Sequence, residues 1–316
     1  MNRRSFLRGT GILSGTAWIM QNAPGFAGPI AGPPSQFKLA VISDGLSQDF
    51  ESALKTLKQY GLSWVEIRAV WGKYNTEASP EQIRKLKDLL DQYQFRCSME
   101  DTALFKCTLP GTEPVAKPKD AYPYAEQMDL LKRAIDRAHA WGTDRVRMFT
   151  FWRVAEPEKI SSRIVEEVQK AAEIAQAANI RLLIENETST NVATGRELGA
   201  LLAKLPANVG ANWDTGNGIR MGEPPYPDGY KHLDPKRVWN LHLKGAQCAP
   251  GFKQCKDTFT DEGQIDLKGQ LQALLRQGYQ QTMSLECEYS APGLTHPQTT
   301  ERSLQGVLKV MAAAVS

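Results

Sequence analysis

Close-spaced cysteines are missing from this 316-residue chain: Cys97, Cys107, Cys248, Cys255 and Cys287 form no CxxC pair and, with His139, His232, His242 and His296, no structural-zinc pattern. A zinc finger or a small disulfide-stapled fold is thereby excluded. The glycine-rich GxGxxG turn is absent as well, which removes the usual phosphate loop of a doubly wound nucleotide-binding sheet. No apolar run reaches the roughly 20 residues that span a bilayer, and the candidate Gly9 to Met20 stops at about 12. A surplus of positive charge is scarce too. The formal net charge is +3, and Arg3, Arg4 and Arg8 account for all of it, so basic and acidic side chains balance from residue 28 onward. A neutral chain lacks the cationic field that nucleic-acid and anionic-membrane binders use, and neither partner is expected.

Those three arginines sit in Asn2-Arg3-Arg4-Ser5-Phe6-Leu7-Arg8, ahead of a short Gly/Ser-rich apolar run, and the segment resembles a twin-arginine export signal. The resemblance implies recognition by the twin-arginine export machinery and a periplasmic or secreted mature protein; the small residues of Gly25-Phe26-Ala27 offer a cleavage site after Ala27, and the short apolar run opposes a permanent membrane anchor. The expected division is a signal over residues 1–27, a linker over 28–37 and one domain over 38–316. Cys248 and Cys255 flank a loop and can pair after export. Folding before export in a reducing compartment opposes that pairing, and the odd cysteine count leaves at least one thiol free.

From Lys38 onward short β-branched runs alternate with longer segments whose apolar residues recur every three to four positions, the pattern of repeated βα units. The strands are expected at Leu39–Ser43, Trp64–Arg68, Arg96–Glu100, Arg145–Phe149, Arg181–Glu185, Val209–Trp213, Val238–Lys244 and Thr282–Glu286. Ser79-Pro80-Glu81-Gln82 reads as a capped helix start, and Gly61, Gly142 and Gly278 as helix stops before strands. Roughly eight such units without a linker between them predict a single-domain α/β fold, a (β/α)8 TIM barrel. Three long stretches, Leu109 to Pro123, Gly222 to Tyr230 and Gln247 to Glu262, follow strands and are expected to wall a pocket on the C-terminal face.

At the ends of the last four strands stand Glu185, Asp214, His242 and Glu286. Adjacent barrel strands bring their ends to one point, and three carboxylates with one imidazole suit a divalent ion: manganese first, with magnesium, cobalt or zinc as alternatives. Side-chain alternation puts Glu66 with Arg68, Arg145 with Arg147, Glu185 with Glu187 and His242 with Lys244 on shared faces. Arg147 and Lys244 can then orient substrate oxygens, or close the barrel interior with ion pairs. Trp71 and Trp152, just after strands, can stack on a sugar or pack a loop.

The Glu-Asn of "RLLIENET", the Asp-Thr-Gly of "NWDTGN", "LHLKG" and "GQIDLKGQLQALLRQGYQQTMSLECE" resemble the xylose-isomerase-like sugar phosphate isomerase/epimerase family, the AP endonuclease family 2-like barrels, across the whole mature chain. The resemblance implies that Glu185, Asp214, His242 and Glu286 ligate the metal and that Glu185 and Glu286 are also the acid/base pair. Proton transfer next to a carbonyl forms an enediolate whose charge a cation stabilises. Two departures stand out: Asn217 follows Asp214-Thr215-Gly216 where relatives often carry histidine, so it is a candidate substrate contact, and Asp261 replaces a usual glycine. The expected function is a metal-dependent isomerase or epimerase acting on a non-phosphorylated carbohydrate. The alternatives are a lyase or dehydratase acting on keto-sugars or 3-keto-glycosides, and a non-catalytic exported sugar-binding protein, which the intact carboxylate set opposes. A histidine-rich multi-zinc DNA-repair site is excluded by the histidine count and the neutral charge.

Overall fold

The computed structural model describes residues 32–116 and 118–316. The export-signal segment, residues 1–27, lies outside the described residues. Twelve strands are present among the described residues: β1 Lys38–Val41, β2 Trp64–Ile67, β3 Ala69–Val70, β4 Lys73–Tyr74, β5 Arg96–Leu104, β6 Arg145–Met148, β7 Arg181–Glu185, β8 Val209–Asp214, β9 Val238–Leu243, β10 Gly245–Ala249, β11 Lys253–Thr258 and β12 Thr282–Leu285. The helices are α1 Phe50–Gln59, α2 Pro80–Tyr93, α3 Gln127–Trp141, α4 Ser161–Ala177, α5 Gly195–Leu202, α6 Asn217–Arg220, α7 Leu267–Arg276 and α8 His296–Val315.

Eight strands form one parallel sheet in the order β1-β12-β9-β8-β7-β6-β5-β2, and a parallel bridge between Ile42 and Glu66 brings its two edges together. The result is the (β/α)8 barrel expected from the alternation of apolar runs. All eight expected strands form, within a few residues of the positions read from the sequence; each is short and almost wholly buried, with apolar side chains interrupted by polar ones that face the barrel interior. Ser79 and Gln82 exchange the reciprocal bonds of a capping box, and Gly61, Gly142 and Gly278 adopt the left-handed backbone that ends their helices.

Two features differ from the repeated-unit reading. After β8 the outer helix shrinks to α6 and a series of short turns. The Gly222 to Tyr230 stretch packs against α5 and α7 on the barrel's flank, so it does not wall the mouth. That packing is close: a Cβ on Gly195 would lie 2.2 Å from the Gly229 carbonyl oxygen. The Gln247 to Glu262 stretch, by contrast, contains most of an antiparallel hairpin, β10–β11, beside the strand ends, and Cys248 and Cys255 are disulfide-bonded within it. Asp261, the departure from the family's glycine, pairs with Arg302 of α8 at 2.9 Å.

The main core lies between the sheet and the helices, and it holds the aromatic bulk, Trp213, Phe50, Phe105 and Phe151. Among the described residues, Met99, Leu183 and Trp239 form a separate, smaller apolar layer inside the barrel. Below the mouth Arg145 donates to the Trp239 carbonyl and the Thr282 hydroxyl. Above the apolar layer the interior is polar, which is where the site begins. No helix among the described residues is long and apolar enough to cross a membrane.

Candidate metal centre and active site

Glu185 and Asp214 are the last residues of β7 and β8, His242 lies next to last in β9, and Glu286 immediately follows β12. Register fixes their heights: Asp214 pairs with His242, and His242 with Ser284. The ends of four neighbouring strands therefore bring together four side-chain atoms that could hold a metal ion, all within 4.8 Å of one another. All four side chains are buried.

His242 Nε2 is 2.7 Å from Glu66 Oε1 on β2, and Ser284 Oγ and the Asn240 amide donate to the other oxygen at 2.5 and 3.2 Å. A carboxylate so surrounded by donors can only accept, so Nε2 carries the proton and Nδ1 faces the carboxylates. Nδ1 stands 2.9 Å from Glu286 Oε2, 3.6 Å from Glu185 Oε2 and 3.8 Å from Asp214 Oδ2. Glu66 is a residue of the site whose role the sequence reading did not assign; its place on the same strand face as Arg68 was the available signal.

Two basic side chains flank the cluster. Arg147 donates to Glu185 at 2.8 Å and is ion-paired with Asp101, a second residue not singled out from the sequence because it lies just beyond the expected end of its strand. Lys244 Nζ is 3.0 Å from each of Asp214 Oδ2, Glu286 Oε2 and Glu288 Oε2. At the rim Arg68 contacts Glu286 at 2.6 Å and Asp44 at 3.2 Å, while Lys106 reaches Glu187 at 3.3 Å.

These neighbours set the charge states of the metal-free protein. Burial pushes Glu185 up, but Arg147 and His242 outweigh it and bring its carboxyl to about 2. Burial also opposes the charge on Glu286, and Lys244 and His242 hold it well below the usual carboxylate range. Asp214 is raised to about 7, because burial there exceeds the pull of Lys244. His242 is driven well above the ordinary imidazole value: burial works against its charge, and Glu66, Glu185 and Glu286 overcome it.

Asp214 Oδ2, His242 Nδ1 and Glu286 Oε2 are buried and make no well-aligned hydrogen bond. Carboxylate oxygens and an imidazole nitrogen converging on one buried point are the donor set of a divalent ion that takes oxygen and imidazole ligands at about 2.0–2.2 Å. Asp214 Oδ1 is otherwise engaged, accepting from the backbone N–H groups of Gly216 and Asn217, so the loop after β8 aims the free oxygen at the cluster.

Asn217 is buried beside the ligands, and its amide donates to the Asn186 carbonyl at 2.9 Å, tying the loops after β7 and β8 together. Trp152 is buried, and its indole N–H donates to Asp120 at 2.6 Å within the Leu109 to Pro123 stretch. Trp71 packs under the Lys85 ammonium, 5.2 Å from the ring centre.

The family model described as xylose isomerase-like TIM barrel matches residues 54–310. Among solved structures, the IOLI protein with a bound zinc atom superposes with a TM-score of 0.68 at 17% identity, covering 88% of this chain and 99% of that one. A D-tagatose 3-epimerase-like protein gives 0.63 at 17% identity, covering 89% and 100%. The probable 3-DHS dehydratase AsbF of petrobactin synthesis from Bacillus anthracis gives 0.66 at 14% identity, covering 86% and 98%. No curated protein sequence matches significantly. At these identities the structural likeness speaks for the fold alone, whereas the family model spans most of the chain: the protein belongs to the xylose isomerase-like TIM barrel family.

Proposed function

We propose that this chain is an exported, metal-dependent carbohydrate isomerase or epimerase, and that it works on a non-phosphorylated sugar by proton transfer next to a carbonyl through an enediolate. The observation that carries the reading is the convergence of Glu185, Asp214, Glu286 and His242 Nδ1 on one buried point, with three of the four facing atoms left without a well-aligned hydrogen bond. Bound there, a divalent ion, manganese before magnesium, cobalt or zinc, supplies electrostatic stabilisation of negative charge developing on substrate oxygens.

The chain's own residues do the rest. Glu185 and Glu286 are the proton carriers, one at each side of the reacting carbon, and the cations beside them keep both ionised at neutral pH. Arg147 holds Glu185 in place from beneath, and Lys244 is in reach of a substrate oxygen next to Asp214 and Glu286. Trp152 and the Asp120 loop shape the rim, and Asn217 steadies the Asp214 loop. If the twin-arginine segment Asn2–Arg8 acts as an export signal, the mature enzyme works in the periplasm or outside the cell.

A second reading keeps the same first proton transfer and ends in elimination, making the protein a lyase or dehydratase. The structural likeness to the probable dehydratase keeps it alongside the first. Metal analysis of the protein beside Glu286→Gln and Asp214→Asn, with deuterium uptake from D₂O into keto-sugars, tests both. About one ion per chain that is lost in the variants, with deuterium next to the carbonyl, supports enolisation, and the product separates isomerase from lyase. Metal content unchanged in both variants would refute the site.

A further inference from the structure

Three basic side chains at the mouth, Lys244, Arg147 and Arg68, each touch one of the proposed metal ligands. Lys106 touches none of them. Among the described residues its one hydrogen-bond partner is Glu187 Oε2 at 3.3 Å, so two of its three ammonium donors are left over, and the side chain is 27% exposed. The ammonium lies 4.5 Å from the centre of the Phe149 ring, and the Arg147 guanidinium 4.7 Å from the same ring. Lys106 follows β5, Phe149 follows β6 and Glu187 follows β7, so the pair bridges the end of β6, at the border of the four strands that carry the metal-facing cluster. Glu187 is near enough to Glu185 and Lys244 for both to act on its charge.

The turn that carries Lys106 is held in a backbone conformation its residues do not favour. Phe105 has a φ of 59° and Phe151 one of 63°, in the left-handed region where bulky side chains are rare. Such strain persists only where the surroundings enforce it, and it gathers at binding sites. Here the Phe105 N–H donates to Gln127 Oε1 at 2.6 Å, the Phe105 carbonyl accepts from the Phe151 N–H at 2.8 Å, and the two rings stack with centres 4.6 Å apart. Glu187 is fixed as well: its Oε1 accepts from the Thr188 hydroxyl and the Ser189 N–H, which leaves Oε2 toward Lys106. A fixed donor beside a fixed acceptor matches two neighbouring hydroxyls, one accepting and the other donating. We propose that Lys106 and Glu187 form a second subsite, apart from the metal-facing cluster, that holds a vicinal diol of the substrate remote from its reacting carbon. The inference rests on the enolisation reading above, which places the reacting end of the sugar and leaves its far end unassigned.

The test uses the metal-loaded protein and two kinds of probe: dihydroxyacetone, which ends at the reacting centre, and the ketohexoses fructose and sorbose, which carry hydroxyls on the carbons beyond it. Calorimetric binding and deuterium exchange from D₂O are measured for the parent, Lys106→Met and Glu187→Gln, with circular dichroism establishing that each is folded. The parent is expected to bind at least one ketohexose more tightly than dihydroxyacetone. Lys106→Met keeps the packing on Phe149 and removes the donors, and it is expected to weaken ketohexose binding about tenfold more than dihydroxyacetone binding, the worth of one hydrogen bond to a charged group. Glu187→Gln keeps an oxygen for Thr188 and Ser189 and is expected to show a smaller loss, again larger for the ketohexose. A parent without preference for either ketohexose, or losses equal for the two kinds of probe in both variants, overturns the subsite, while deuterium exchange by the parent still decides enolisation. A selective loss in the variants with no exchange into any probe by the parent refutes enolisation and leaves the subsite supported.

Discussion

Replacing Glu66 with alanine isolates the residue behind His242, on the far side of the imidazole from Glu185, Asp214 and Glu286. The carboxylate receives His242 Nε2 at 2.7 Å, Ser284 Oγ at 2.5 Å and the Asn240 amide at 3.2 Å, all buried. Its removal frees the imidazole to rotate or to carry its proton on the other nitrogen, and loss of a residue that orients a metal-ligating histidine costs about 10–100-fold in metal affinity. That is about 1.4–2.7 kcal/mol. Three donors also lose their acceptor, each at about 1–3 kcal/mol if no water replaces it, so the melting temperature of the metal-free variant falls. Glu66→Gln retains an acceptor for Nε2 while removing the negative charge, and its affinity loss is expected to stay under about tenfold. Chelator competition gives the dissociation constants, circular dichroism establishes that both variants are folded, and nitrogen NMR of His242 reports which ring nitrogen is protonated. A folded alanine variant that binds metal within about threefold of the parent, with the same ring nitrogen protonated, would refute the orienting role.

Other outcomes follow from single contacts. Arg147→Met leaves Asp101 and Glu185 buried without their shared cation, and urea unfolding should show a loss of about 3–5 kcal/mol; a loss under about 1 kcal/mol would mean the pair is not held as drawn. Gly195→Ala drives a Cβ against the Gly229 carbonyl, whereas Gly142→Ala meets no atom within 4 Å and suffers only from its positive φ, so the first should lower stability more than the second in thermal melts. Thiol counting should find three free cysteines in unfolded, unreduced protein and five after reduction. In native protein at pH 8 Cys97 and Cys107 should resist alkylation, since burial raises both thiols, Cys107 to about 12, and the reactive thiolate is scarce until the pH rises toward that value; rapid labelling of either would contradict their burial. Trp152→Phe removes the indole donor to Asp120 and should destabilise by about 1 kcal/mol, read by denaturant titration, with no change expected if that bond is not made.

The barrel was legible because its evidence is repetitive. Each strand run is short and rich in apolar residues, most are followed by a helical period with a cap or a glycine stop, and agreement over so many units leaves little freedom. The cluster of Glu185, Asp214, His242 and Glu286 was legible for a related reason: the four stand at or beside the C-terminal ends of four successive strands. The supporting residues were not, because each owes its role to partners far away in the chain. Glu66 meets His242 across 176 positions, and nothing local marks one as the acceptor of the other. Asp101 was hidden by strand length, since β5 runs on to Leu104 while its apolar signature fades at Glu100. The short α6 unit escaped for the opposite reason: proline-rich sequence after Asp214 gives no period, and only packing against α5 and α7 fixes it.

The polar interior has an energetic consequence that the apolar strands conceal. Desolvating Glu66, Asp101, Glu185, Asp214 and Glu286 within one barrel costs several kcal/mol for each charge that is not fully paired, and Arg147, Lys244 and His242 return only part of it. The cluster is therefore a place where the fold gives up stability, and an ion that neutralises it should recover some. Binding of metal to the native state alone adds RT ln(1 + [L]/Kd), about 2.7 kcal/mol at a hundredfold excess over Kd. The melting temperature should rise with metal concentration in the parent and stay flat in Asp214→Asn, with the metal-free variant at least as stable as the metal-free parent because one buried carboxylate has been discharged. A metal-free Asp214→Asn protein markedly less stable than the parent would show that Asp214 is retained for structure, and the exchange of stability for a charged site would not be the reason these side chains sit together.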